Sequence, residues 1–315
     1  MDASRLDFSE ARIADAALLA KYRALKDRLR GLGDVLIGFS GGVDSTLLTA
    51  VARHALGRDR VLACLAVGPS LPERERLEAL ELAALMDVAV KTYAATEFEN
   101  PAYVANGPDR CFHCKTDLFR HLEGFAAAAR AEGSRAGGPR PALLYGGNLD
   151  DTLDYRPGRK AAETHGALAP LAEAAFAKAD VRALSRAIGL PTAEKAAQPC
   201  LSSRIPYGSA VTPEKLAAVE AGEAELARLG FREFRLRHYG EVARVEVPQD
   251  QLGLFTAGTK ADLEAILLGL GFARMEIDGE GFRSGKLNRD LPAESRERFL
   301  DRTRTAVPER PGRVG

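Results

Sequence analysis

The sequence predicts an α/β protein, a doubly wound parallel sheet followed by a smaller α+β domain. Three observations lead there. Apolar strand-like runs and amphipathic helical runs alternate between residues 35 and 145, as a succession of βαβ units requires. The first strand run ends in Ser40-Gly41-Gly42 at a helix opening, which sets a ligand-sized turn at the carboxyl edge of such a sheet. After a change of composition over residues 196–207, one helix, a pair of strand runs, a second helical region and a last strand follow without that alternation.

Taken in order, residues 9–30 predict a helix, with Leu18, Tyr22, Leu25 and Leu29 at helical spacing and Gly31 and Gly33 as stops. Residues 35–39 are a strand and 44–56 a helix closed by Gly57. Residues 61–67 are a strand and 72–86 a helix whose expected inner face is Leu77, Leu80 and Ala84. A strand at 88–93, a helix from about 113 to 130 and a strand at 142–145 lead into Gly146-Gly147-Asn148. Residues 133–140 are polar and Gly-rich, a surface loop, and 178–188 are a helix closed by Gly189 and Pro191. Thr212-Pro213-Glu214 supplies an N-cap, a first-turn proline and an acidic first turn to a helix that stops at Gly230. Strands at 231–238, 242–247 and 273–277 and a helical region at 260–270 complete the second unit. The expected division is 1–198 for the sheet domain and 199–290 for the α+β domain, with a disordered charged tail at 291–315.

A chain of 315 residues with 46% hydrophobic and 28% charged residues is long enough to bury sizeable cores. Lys+Arg and Asp+Glu balance at 44 each, so no global basic field argues for a nucleic-acid partner. No apolar run is long enough to span a bilayer and the first residues lack the plan of a signal peptide, so a cytoplasmic location is expected. Four cysteines in such a chain point to reduced thiols, a metal centre or catalysis rather than a disulfide framework.

Four clusters carry the candidate chemistry. In Ser40-Gly41-Gly42-Val43-Asp44-Ser45 the glycines allow the backbone to approach a ligand, while the hydroxyls of Ser40, Ser45 and Thr46 lie beside free N–H groups of a helix start. That is a phosphate cradle without the lysine of a Walker A loop. Arg110-Cys111-Phe112-His113-Cys114-Lys115 is a single CxxC, short of the four ligands of structural zinc; His113 falls within the turn and is expected to point away, and Cys64 reads as a buried apolar thiol. Cys200, in Pro199-Cys200-Leu201-Ser202-Ser203-Arg204, is either a reactive thiolate beside a guanidinium or a solvent-side cysteine next to a structural arginine. Arg235 and Arg237 share one strand face, either as an anion clamp or as a solvated face. By the same rule Arg244 and Glu246 share a face of the neighbouring strand. Glu223 falls on the apolar stripe Leu216, Val219, Leu226 and therefore needs a partner, from a subunit interface, a metal or an ion pair.

The first string resembles the pyrophosphate loop of the N-type ATP pyrophosphatases. Together with Arg110-Cys-Phe-His-Cys-Lys115, Gly146-Gly-Asn-Leu-Asp-Asp151, Asp154-Tyr-Arg-Pro-Gly158, Pro199-Cys-Leu-Ser-Ser-Arg-Ile-Pro-Tyr-Gly208 and Arg235-Leu-Arg-His238, it resembles the LarE-type ATP-dependent sulfur transferases over roughly residues 10–290. The resemblance implies ATP and Mg2+ at Ser40, Gly41, Gly42, Asp44 and Ser45, with Gly146 and Asn148, and adenylation of a carboxylate of pyridinium-3,5-biscarboxylic acid mononucleotide on the route to the nickel-pincer nucleotide. It implies a catalytic set of Cys200, Ser203 and Arg204. In the family's sacrificial scheme Cys200 gives up its sulfur and becomes dehydroalanine. Arg204, Arg235 and Arg237 match positions expected to hold AMP or substrate phosphate, and Glu223 and Glu246 match carboxylates near a three-fold subunit junction. Some relatives carry the extra CxxC, which implies a [4Fe-4S] cluster on Cys111, Cys114 and Cys200. Expected partners are the mononucleotide, other proteins of nickel-pincer biosynthesis and copies of the chain itself in a trimer or hexamer. A tRNA thiolase would need a basic groove or an RNA-binding module, and a non-catalytic nucleotide or iron–sulfur sensor would not need Cys200 among hydroxyls and a guanidinium.

Overall fold

Three short apolar runs, largely buried, pair in parallel and a more exposed fourth, residues 89–94, closes one edge of the sheet. In the computed structural model, which describes residues 6–131, 140–153, 157–196 and 198–282, β1 (Val35–Gly38), β2 (Val61–Val67), β3 (Ala89–Ala94) and β4 (Ala142–Tyr145) assemble in the order β3-β2-β1-β4 with every pairing parallel. The strand order reverses between β1 and β4, so the sheet opens a crevice beyond their carboxyl ends. The expected tail at 291–315, residues 133–139 of the expected surface loop and residues 154–156 lie outside the described residues.

Helices cover both faces. α1 (Ala16–Arg30), α2 (Val43–Leu56) and α3 (Glu73–Leu85) pack with Val35 and Ile37 into the largest core, while α4 (Pro101–Val104) and α5 (Arg110–Ala131) follow β3. Leu122 and Ala126 of α5 meet Leu36 and Cys64 on the opposite face, so Cys64 is the buried apolar thiol its sequence setting predicts. After β4 come α6 (Asp150–Leu153), α7 (Pro157–Thr164), α8 (Pro170–Glu173) and α9 (Lys178–Ile188), the last packing against α2 through Val181, Leu184 and Ile188.

Three local expectations are corrected. The first helix starts at Ala16, capped by Asp15, whose side chain accepts from the Ala17 and Leu18 amides; residues 10–12 are a separate 3-10 turn. The inner face of α3 is Glu75, Ala79, Leu82, Ala83 and Leu85, whereas Leu77 is 48% exposed and Ala84 exposed. The apolar periodicity misled there because Ala79 is the residue that closes on Gly41 and the Glu75 carboxylate is buried on the same face by Lys195. The CxxC helix begins at Arg110 instead of residue 113, which puts Cys111 and Cys114 in its first turns.

The second unit has α10 (Pro213–Arg228) and α11 (Ala257–Gly269) on a sheet of β5 (Arg235–Tyr239), β6 (Val242–Glu246) and β7 (Arg274–Ile277). β5 and β6 are antiparallel, β6 and β7 parallel. Thr212 caps α10 by accepting from the Lys215 amide, with Pro213 at the first position, as the sequence predicts. Strand β5 begins four residues later than expected, since Phe231 and Phe234 turn into the core below it. A separate apolar cluster of Tyr103, Leu201, Ile205, Val211, Leu216 and Val219 joins α4, the Cys200 segment and α10. Burying each of its aliphatic side chains contributes about 1.5–3 kcal/mol, which fixes that segment between the two sheets.

Candidate functional site

The glycine turn follows β1 and opens α2. Gly41 has φ +68°, a conformation that an L side chain rarely adopts, and a Cβ there would lie 2.9 Å from the Ala79 Cβ on α3. Gly42 is the N-cap of α2 and no side chain caps the helix, leaving the first-turn amides and the positive end of the helix dipole to an anion. Ser40 and Ser45 face each other, with hydroxyl oxygens 3.2 Å apart, and the Ser45 hydroxyl also donates to the Gly42 carbonyl at 3.2 Å. Thr46 is fully buried and its hydroxyl finds no hydrogen-bond partner among the described residues, so it does not share the cradle with Ser40 and Ser45. The loop after β4 closes the other wall. A Cβ on Gly146 would lie 2.7 Å from the Ser45 amide nitrogen, so only glycine permits that approach.

Two lysines that the sequence did not single out meet at this turn. Lys178, the first residue of α9, donates to Asp44 Oδ2 at 2.5 Å, while Asn148 donates to Asp44 Oδ1 at 3.1 Å. Lys195 lies 3.4 Å from the Gly41 carbonyl and donates to Glu75 at 2.5 Å and Glu78 at 2.9 Å. Burial works against its ammonium, but the hydrogen bonds to Glu75 and Glu78 hold it above the ordinary lysine value. The only hint in the sequence was a lysine five residues before Cys200. Nothing local predicts that it reaches back to the turn.

The three remaining cysteines come from two segments. Cys111 and Cys200 are exposed and Cys114 is partly buried. Burial raises the Cys111 thiol, with Cys200 adding to the rise and Arg110 opposing it. Burial, then the Glu97 carboxylate, raise Cys114, and Cys200 and Cys111 add to that. Among the described residues, no group of three His, Cys, Asp or Glu side chains is placed to hold a metal ion. His113 turns away, as expected, toward Asp109 at 3.3 Å.

Arg204 is 1% exposed and each of its three guanidinium nitrogens is engaged. Nε and Nη2 make a forked pair with Glu223 at 2.8 and 3.0 Å, and Nη1 donates to the Pro199 and Cys200 carbonyls and the Ser203 hydroxyl. The ion-pair reading of Glu223 thus holds in this chain, and Glu223 also accepts from the Leu236 amide at 3.1 Å. Arg235 and Arg237 are 9% and 6% exposed, which overturns the solvated-face reading. Arg237 donates to the Ser203 carbonyl at 2.8 Å and to Glu246 at 3.1 Å. Burial, with Arg204 beside it, brings Arg235 down to about 10.

These side chains line one cavity of about 780 Å3 between the two sheets, walled by Arg110, Ser203, Arg204, Arg235, Arg237 and Glu75 among others. A concave site with converging guanidiniums suits an anionic small molecule. Glu75 lies both on its wall and on Lys195, which connects the cavity to the glycine turn. No helix among the described residues is long and apolar enough to cross a membrane.

Residues 21–104 match the family described as NAD synthase. The chain is 40% identical over 275 residues, 87% of its length and 99% of the relative's, to an uncharacterized protein of Synechocystis sp.. It is 36% identical over 276 residues, 88% of its length and 96% of the relative's, to the pyridinium-3,5-bisthiocarboxylic acid mononucleotide synthase of Lactiplantibacillus plantarum. A shorter likeness, 35% over 104 residues, covers 33% of the chain and 37% of the NH(3)-dependent NAD(+) synthetase of Pyrobaculum aerophilum.

Proposed function

Since the chain belongs to the LarE-type family of ATP-dependent sulfur transferases, we propose that it adenylates pyridinium-3,5-biscarboxylic acid mononucleotide and replaces carboxylate oxygen with sulfur. The observation that carries this reading is the shared wall: the segment bearing Cys200, the CxxC helix through Arg110 and the paired Arg235 and Arg237 all border one cavity.

ATP brings its triphosphate, with Mg2+, to the uncapped start of α2, where Ser40, Ser45 and the backbone amides receive it. Asp44, held by Asn148 and Lys178, marks the end of the cradle nearest Gly146. A substrate carboxylate oxygen attacks the α-phosphorus, the bond to the β-phosphate oxygen breaks and pyrophosphate leaves, with Lys195 next to the turn to receive its charge. The acyl adenylate now has AMP as a leaving group, so the Cys200 thiolate can attack the carbonyl carbon and expel it. In the sacrificial route the resulting thioester loses the Cys200 Cα proton and its Cβ–S bond breaks. The substrate keeps a thiocarboxylate and the chain keeps dehydroalanine. Arg235 and Arg237 hold the substrate phosphate, and Arg204 shapes the Cys200 segment from within.

Cys111, Cys114 and Cys200 are also the soft donor set that an iron–sulfur cluster takes, and since the described residues do not bring three such side chains together around a metal ion, a cluster would have to draw the two segments closer. Cys111, Cys114 and Cys200 would hold a [4Fe-4S] cluster, which supplies an exchangeable sulfide when bound. We assign catalysis of adenylation to residues 1–198 and sulfur delivery to 199–290, in a cytoplasmic homo-oligomer that hands its product to other nickel-pincer enzymes.

The test is pyrophosphate release with and without the pyridinium mononucleotide, followed by intact mass after one turnover. Substrate-dependent release is expected, and its absence rejects the function. A loss of about 34 Da at Cys200, the mass of hydrogen sulfide, identifies sacrifice, and an unchanged mass with continued product identifies the cluster.

A further inference from the structure

Arg110, the first residue of α5 and the neighbour of Cys111, is 6% exposed. Its Nη1 donates to the Ser202 carbonyl at 2.8 Å, two residues beyond Cys200, and to the Asn106 side-chain oxygen. Its guanidinium lies 6.0 Å from the Tyr207 ring centroid. Asn106 is fully buried with φ +57°, and its Nδ2 shares two protons over the carbonyls of Ile205, Pro206 and Ser209 at 3.3, 2.8 and 2.9 Å. Its own carbonyl accepts from the Gly208 amide at 3.1 Å. Tyr103 adds a bond to the Ser202 hydroxyl at 2.7 Å, and the Val104 carbonyl accepts from the Val211 amide at 2.9 Å.

Segment 103–110 is thereby strapped to segment 202–211 at each turn of the chain. The strap ends one residue before Cys111 and begins two residues after Cys200. Arg204 cannot measure this distance, since its donors close on Glu223 and on its own segment. We propose that Arg110, aimed by Asn106, is the positioning residue that sets Cys200 against Cys111. The inference rests on the sulfur-transfer reading for its purpose but not for its geometry. Both bonds leave Nη1, whose two hydrogens lie fixed in the guanidinium plane, so Asn106 and the Ser202 carbonyl together set the direction of that plane, which the freely rotating ammonium of a lysine would not hold.

The experiment uses the full chain in a Cys114→Ala background, where Cys111 and Cys200 are the exposed thiols and Cys64 is buried. Dibromobimane becomes strongly fluorescent when it bridges two thiols, and monobromobimane reports single-thiol access. Arg110→Gln, Arg110→Lys and the milder Asn106→Ser are each expected to slow bridging on the order of tenfold, the scale of an ångström-sized misplacement, with single-thiol labelling unchanged. Bridging at the parent rate in Arg110→Lys would reduce the role to charge and overturn positioning. Parent-rate bridging in Asn106→Ser would overturn the clasp, and that variant decides the matter if Arg110→Gln does not fold. The labelling needs neither ATP nor mononucleotide, so a protein without substrate-dependent pyrophosphate release would lose its proposed function and leave this inference to its own result.

Discussion

At the scale of single residues, the buried charges decide the most. Glu223 and Arg204 have side chains 12% and 2% exposed and are joined by a forked ion pair. Replacing both with apolar groups can be neutral, but removing one strands the other without water. Glu223→Ala is therefore expected to lower unfolding free energy by about 3–5 kcal/mol, read as a fall in the urea midpoint. A change under about 1 kcal/mol would mean the pair is solvated in solution. Glu97, 4% exposed, is held above its ordinary 4.5 by burial, against a donated hydrogen bond from Ser70 at 2.5 Å. Between 4.5 and the raised value the native state keeps a proton that the unfolded chain has released. Stability must then fall as pH rises through that window, and the contribution is complete below it. Glu97→Gln should flatten the pH dependence of the denaturant midpoint there. An unaltered slope would place the titration elsewhere.

At the scale of elements, the turns govern what the helices can do. Gly146 is close to α2 because it has no Cβ; an alanine would meet the Ser45 nitrogen at 2.7 Å and the Asp44 carbonyl carbon at 3.0 Å, both backbone atoms that cannot swing aside. Gly146→Ala should weaken ATP binding by at least tenfold in equilibrium dialysis while secondary structure is retained, and unchanged affinity would separate the β4 loop from the cradle. Elements with continuous apolar runs or a clean helical period were legible in the sequence: β2 and β4 occupy 61–67 and 142–145, and the amphipathic α9 occupies 178–188, as expected. The inner face of α3 was not, because Glu75 is buried by Lys195, a residue 120 positions away. Arg235 and Arg237 showed the right strand alternation but gave no sign of burial, since Ser203 and Glu246, which accept from Arg237, come from other segments. Periodicity reports a face. What covers that face is a tertiary fact.

At the scale of the whole molecule, two sheets with separate cores meet through the small cluster around Tyr103, Leu201, Ile205, Leu216 and Val219. The glycine turn is on one side of that seam and the arginine strand on the other, with the Cys200 segment threaded through it. Leu216, fully buried on α10 in that cluster, does not line the cavity. Leu216→Ala removes packing worth about 2–5 kcal/mol, and the loss falls on the seam rather than on either sheet. Hydrogen exchange at the Gly208 and Val211 amides, which bond across to Asn106 and Val104, should accelerate before exchange in β1 and β2 does. The same variant should lose sulfur transfer more than substrate-dependent pyrophosphate release, because adenylation needs the turn and transfer needs the turn and the thiol together. Uniform acceleration across both sheets, or equal loss of the two activities, would show that the molecule opens as one unit and that the seam has no separate part in delivering sulfur.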